Sequence, residues 1–183
     1  MNLKKWLNIL KQFTDKKHPD PRFRYVYYNA DTNELVATDT IRLFILNPME
    51  KIFDKNVYVN VNKIKSYVKP EIFYDSILCF DEKGIDKRFP EYDKLIPDEM
   101  IKPVYTRILD LPTIVINVGS ITGNGAIVKF DKKYDCLKQI KPDFCNIIYN
   151  GKEDKFMING GVGSDEFKLL VIPVKGDLEW KKK

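Results

Sequence analysis

The chain has 183 residues, 44% of them hydrophobic and 31% charged, which is the balance of a folded globular protein of one or two domains and excludes a disordered or fibrous chain. Its 31 Lys and Arg against 26 Asp and Glu leave a net charge of +5, which allows attraction to phosphate but is far from the density of a histone-like tail. No apolar run approaches the roughly 18 residues of a membrane span, and residues 1–6 lead into a charged pattern rather than an apolar signal core, so a cytoplasmic protein with no membrane partner is expected.

Leu3, Trp6, Leu7, Leu10 and Phe13 recur at helical spacing, and Lys4, Lys5, Lys11, Lys16 and Lys17 fall largely on other faces, so the spacing predicts an amphipathic helix over residues 3–16 with a basic outer side. His18-Pro19-Asp20-Pro21 ends it. Residues 22–29 and 34–39, separated by Asn29-Ala30-Asp31-Thr32-Asn33, read as a hairpin, and residues 42–46 as a third strand closed by Asn47-Pro48. The order then restarts: a strand over 57–61, a short helix over 62–68, a strand over 72–80 and a turn at Gly84. Beyond Pro97, residues 104–109 and 113–118 look extended, and residues 119–125 form a glycine-rich turn. A strand over 126–130, a helix over 131–140 and strands near 145–149, 155–158 and 167–174 follow.

This recurrence of β-α-β-β units predicts an α+β architecture of repeated units, with antiparallel sheets and helices on one face. A domain boundary is expected near 99–102, giving units of 1–100 and 101–175, with a frayed tail over 176–183. Three cysteines, Cys79, Cys136 and Cys145, lack CxxC spacing and read as reduced buried thiols rather than a disulfide or zinc framework. With His18 as the single histidine, catalytic triads and histidine metal sites have almost nothing to work with. The carboxylates Asp39, Asp81, Glu82 and Asp86 sit in turn-like positions without EF-hand or HExxH spacing, so no catalytic residue, metal or cofactor is assigned and the chain is read as non-enzymatic.

Three stretches, residues 35–43, 89–97 and 170–175, together resemble the bacterial DNA sliding clamp, the β subunit of DNA polymerase III. Residues 35–43, Leu-Val-Ala-Thr-Asp-Thr-Ile-Arg-Leu, resemble the clamp's Ala-Thr-Asp-Gly-His-Arg-Leu. Residues 89–97, Phe-Pro-Glu-Tyr-Asp-Lys-Leu-Ile-Pro, resemble its Phe-Pro-Asp-Tyr-Arg-Arg-Val-Leu-Pro, and residues 170–175, Leu-Val-Ile-Pro-Val-Lys, its Val-Val-Met-Pro-Met-Arg. Residues 128–134 are similar to the entry into the last helix of its final domain. The resemblance covers about residues 1–175 and the second and third of three clamp domains, the third shortened; a counterpart of the first is absent.

The resemblance implies two DNA-clamp-like domains and a hydrophobic pocket between them that accepts short peptides of polymerases and other clamp partners. Carried over by motif, its lining would be Thr38, Thr40, Ile41, Arg42 and Leu43, then Pro90, Lys94 and Leu95, then Leu170, Val171, Ile172, Pro173 and Val174. Apolar walls would take leucine or phenylalanine anchors, and Arg42 would add a polar contact. Thr40-Ile41 replaces the family's Gly-His, and threonine would fit a positive φ badly. Helix lysines would hold duplex DNA non-specifically: Lys4, Lys5, Lys11, Lys16 and Lys17 from one helix, and Lys132, Lys133, Lys138 and Lys141 from the other. The expected function is a clamp-like DNA replication accessory protein, as a homo-oligomer of three copies if the family's six-domain ring is kept. The alternative is a stand-alone interaction module or clamp decoy that binds clamp-motif peptides without encircling DNA.

Overall fold

A computed structural model describes residues 2–64, 78–85, 88–96, 104–105, 115–117, 125–129, 136–150, 155–171 and 178–181. The first helix, α1 (Leu3–Leu10), forms because Trp6, Leu7, Ile9 and Leu10 line one buried stripe, and because the Asn2 side chain accepts the Lys5 amide at 3.0 Å and caps its open end. It is shorter than expected. The chain tightens into a 3-10 turn at Lys11–Phe13, and Asp15 then accepts the Lys17 amide at 2.9 Å, so Lys16 and Lys17 stand in a turn and not on a helix.

After the proline loop, Pro21–Arg24 is a 3-10 turn whose cap, Asp20, accepts the Arg22 amide at 3.0 Å. Proline fixes a helical φ there, which removes the first residues of the expected strand 22–29. The strands that follow are β1 (Val26–Asn29), β2 (Glu34–Thr38), β3 (Arg42–Asn47), β4 (Val57–Asn60) and β5 (Leu78–Asp81). Where a helix is expected over 62–68, the described part is the 3-10 turn Val61–Lys63. A strap of residues 82–85 and 88–96 follows β5, with 3-10 turns at Glu82–Gly84 and Tyr92–Leu95.

The later elements are β6 (Val104–Tyr105), β7 (Val115–Asn117), β8 (Gly125–Lys129), α2 (Cys136–Ile140), β9 (Phe144–Asn150), β10 (Lys155–Val162), β11 (Asp165–Val171) and β12 (Leu178–Lys181). The tail expected to be frayed instead supplies β12, whose backbone pairs antiparallel with β8, Leu178 opposite Val128 and Lys181 opposite Gly125. The expected boundary at 99–102, the strand residues 72–77 and 106–109, the glycine-rich residues 119–124 and the helix residues 131–135 lie outside the described residues.

All strand pairings among the described residues are antiparallel. The strand order of the larger sheet is β5-β4-β1-β2-β3-β11-β10-β9-β6, and β12-β8-β7 form a smaller one. At the middle of the larger sheet β3 pairs with β11, joining an early segment to a late one. Period-2 alternation then sorts side chains to two faces. One face carries Val26, Tyr28, Leu35, Ala37, Phe44, Leu46, Phe167 and Leu169, and both described helices pack there through Trp6, Leu7, Leu10, Cys136 and Ile140. The opposite face carries Tyr27, Val36, Leu43, Ile45, Tyr58, Met157 and Leu170, and is covered in part by Ile85, Phe89 and Tyr92 of the strap. The architecture is α+β, with antiparallel sheets and helices on one face.

Candidate peptide site and basic face

The turn between β2 and β3 is built by its own polar side chains. Asp39 accepts the amides of Ile41 and Arg42 at 3.2 and 2.8 Å, Thr38 Oγ1 accepts the Thr40 amide at 3.0 Å, and the Thr38 hydroxyl donates to the Arg42 carbonyl at 2.7 Å. These bonds hold Thr40 at φ +73°, the left-handed region where a β-branched residue is strained. Thr40 and Ile41 are consequently presented outward, Ile41 with 55% of its surface exposed.

Arg42, expected to offer a polar contact to a bound peptide, is engaged within the chain. Its guanidinium is paired with Asp39, donates to the Gln12 carbonyl at 2.8 Å and lies 4.9 Å from the Phe13 ring centroid. It ties the turn to the end of α1, on the helix-bearing face. Leu43, one residue on, faces the other way.

Leu43 stands opposite Leu170, and Leu170 opposite Met157, so these three make one apolar row across β3, β11 and β10 on the face away from the helices. Leu43 and Leu170 are 2% and 4% exposed, so they form the floor of any site rather than its reachable wall. Phe89 and Tyr92 of the strap belong to the same cluster, with Phe89 stacked on Tyr27 at 4.7 Å. Pro90 is half-buried, Leu95 is 44% exposed, and exposed Lys94 is paired with Glu91. Val171 pairs by backbone with Arg42, and Ile172, Pro173 and Val174 lie outside the described residues. Met157, Phe89 and Tyr92 were not singled out from the sequence as site residues; the parity of β10 against Leu170 was the available signal for Met157.

Buried phenols bind the strap to the sheet. The Tyr92 hydroxyl donates to Glu34 at 2.6 Å and accepts from Asn29 at 3.1 Å; burial, reinforced by the Glu34 carboxylate, pushes its pKa up to about 12. Tyr27 donates to Glu82 at 2.9 Å, and burial raises both Tyr27 and Tyr58 well above the usual phenol range. Glu82 and Asp39 are thereby committed to structure, and Asp81 pairs with Lys55 at 3.3 Å. Among the described residues no cluster of His, Cys, Asp and Glu is arranged to hold a metal, and no helix is long and apolar enough to cross a membrane.

On the other face α1 and α2 lie side by side, joined by Gln12 donating to Gln139 at 2.8 Å. Lys5 donates from Nζ to the Ile140 carbonyl at 3.1 Å, satisfying the negative end of α2, so part of its charge is spent on helix packing. Lys4 and Lys5 line a shallow groove between the helices with Asn2, Asn8 and Gln139. Lys11 opens the 3-10 turn after α1, Lys138 lies in α2, and Lys141 follows it exposed, at φ +51°. Lys132 and Lys133 lie outside the described residues. The Trp6 indole donates to buried Asp165 at 2.9 Å, which fixes α1 against the β10–β11 hairpin.

No protein-family model and no curated protein matches the sequence. Solved structures do match. The DNA polymerase sliding clamp of Bacillus subtilis superposes with a TM-score of 0.62 at 15% identity, over 94% of this chain and 62% of that one. That of Pseudomonas aeruginosa gives 0.60 at 15% identity, over 94% and 65%. The Helicobacter pylori beta clamp bound to a DNA ligase peptide gives 0.57 at 12% identity, over 94% and 63%. The chain thus spans less than two thirds of the length of these proteins, and over that span it has the fold of the bacterial DNA polymerase III β sliding clamp.

Proposed function

We propose that this protein is a non-enzymatic, clamp-like accessory factor of DNA replication that holds duplex DNA on its helix face and tethers partner proteins through a peptide pocket on the opposite face. The reading divides the chain into clamp-like units of 1–100 and 101–175. The observation that carries it is the β3–β11 pairing, which sets Leu43 beside Leu170 in one apolar row, with Ile41 exposed on the adjoining turn and Leu95 exposed on the strap. Peptides of polymerases or other clamp partners would seat leucine or phenylalanine anchors there, with affinity carried by a few buried side chains.

The test must spare the floor. Leu43→Asp would bury a charge in the core and unfold the protein as readily as it would empty a pocket. Ile41→Asp and Leu95→Asp change exposed apolar side chains instead. Each is expected to weaken binding of a leucine/phenylalanine-anchored fluorescent peptide by roughly tenfold or more, the range of an interface anchor, with an unchanged melting temperature. Wild-type affinity in both variants would refute the site.

One observation favours a second reading. Lys5 of the helix face spends its ammonium on the Ile140 carbonyl, as suits a stand-alone interaction module or decoy that keeps the pocket and needs no grip on DNA. Such a protein binds the peptide as a monomer or simple dimer and releases DNA at moderate salt.

A further inference from the structure

Beside the apolar row the same sheet face changes character. One pleat repeat along the strands, roughly 7 Å away, Ile45, Lys168 and Asn159 form the next row, in register across β3, β11 and β10. Together with Glu34 of β2 and Glu166 of β11 they line a small groove of about 160 Å³. Ile45 is buried and makes an apolar floor, while Glu166 and Lys168 are exposed at the rim. Glu34 is fixed in place because one of its oxygens accepts from Tyr92 at 2.6 Å and from Thr32 at 2.8 Å.

Two features give this groove a preference. Asn159 is half-buried in the groove wall and its side-chain oxygen has no hydrogen-bond partner, so a rotation of that amide towards the groove offers an acceptor to an incoming donor. The two carboxylates also outnumber the single ammonium, on a protein whose net charge is +5. An apolar floor, a waiting acceptor and surplus negative charge fit a long side chain with an aliphatic stem and a cationic, donor-rich head.

We infer that the groove is a second subsite of the peptide pocket, taking an arginine or lysine side chain of the bound partner about two to four residues from its apolar anchors. The inference rests on the pocket reading above, and its occupant is one residue of the same peptide rather than a separate ligand. The pocket alone selects for greasy anchors; the groove makes the selection depend on a charge placed beside them.

The test uses the full chain and three fluorescent peptides with identical leucine and phenylalanine anchors, bearing arginine, alanine or glutamate at the flanking position. The arginine peptide is expected to bind roughly fivefold more tightly than the alanine one at low salt, and the glutamate peptide most weakly. In Glu166→Lys the arginine-to-alanine affinity ratio is expected to fall to about one. Equal affinities of the three peptides for the wild-type chain would overturn the subsite while leaving the pocket standing. An arginine preference that survives in Glu166→Lys would place the charge reader elsewhere and overturn it too. If none of the three binds, the pocket itself falls, and the subsite with it.

Discussion

At the scale of single residues, Thr40 marks where this chain departs from the sliding-clamp motif it resembles. The motif has glycine at this turn, and the backbone here keeps the glycine-like φ of +73° although the residue is threonine. The strain is sustained by Asp39 and Thr38, whose side chains hold the backbone amides on both sides of it. Thr40 is exposed, and its own backbone bond survives truncation of the side chain. Thr40→Gly is therefore expected to stabilise the fold by up to about 1 kcal/mol, relief of left-handed strain exceeding the entropy that glycine adds to the unfolded chain. A denaturant midpoint that falls in this variant would show that the turn does not store strain. The neighbouring Arg42 shows what spacing leaves open: the motif identifies the residue, but only the parity of β3 against the core sends its guanidinium to Gln12 and Phe13 rather than to the face of Leu43.

Among the elements, the strap of residues 82–85 and 88–96 has a measurable signature. Tyr27, Tyr58 and Tyr92 are buried beneath or within it, and their phenols ionise above the ordinary value of 10, Tyr92 near 12. A phenol whose folded pKa is raised stabilises the fold fully below pH 10. Above that the unfolded chain releases protons that the folded chain keeps, so stability falls as pH rises from 10 towards 12. Denaturant midpoints measured across this interval should decline, and Tyr92→Phe should flatten the decline, since it removes one of the three phenols. A slope unchanged in Tyr92→Phe would mean that Tyr92 is not held neutral by its site. The strands and the basic helix were legible in the sequence because alternation and helical spacing are local signals. Local signals failed where a partner decides: the lysines at 16 and 17 continued a helical pattern that Asp15 ends, Phe23 and Tyr25 suggested a strand where Pro21 fixes a turn, and the tail became β12 because β8 offers it an edge. Of the candidate site, the motifs located Leu43 and Leu170, while burial, which only the assembled sheet determines, separated floor residues from the reachable Ile41 and Leu95.

For the whole molecule, the sheet face and the helix face impose different requirements. A peptide pocket needs one chain, because both sides of the Leu43–Leu170 row come from the same polypeptide. Encirclement of DNA needs more, because the two described helices, on one face of one chain, present a shallow basic surface and cannot surround a duplex. If the protein works as a ring equivalent to the family's six domains, each chain contributing two, light scattering should give three times the chain mass of 21.5 kDa. Duplex DNA should then be retained on closed circular templates even as salt is raised, because topology and not phosphate contact holds it. A mass of one or two chains, with DNA affinity that collapses between low and moderate salt as counterion release demands, would instead leave a peptide-binding module without a ring. The two outcomes separate on mass and on the salt profile together, since a basic surface alone produces the second profile but never the first.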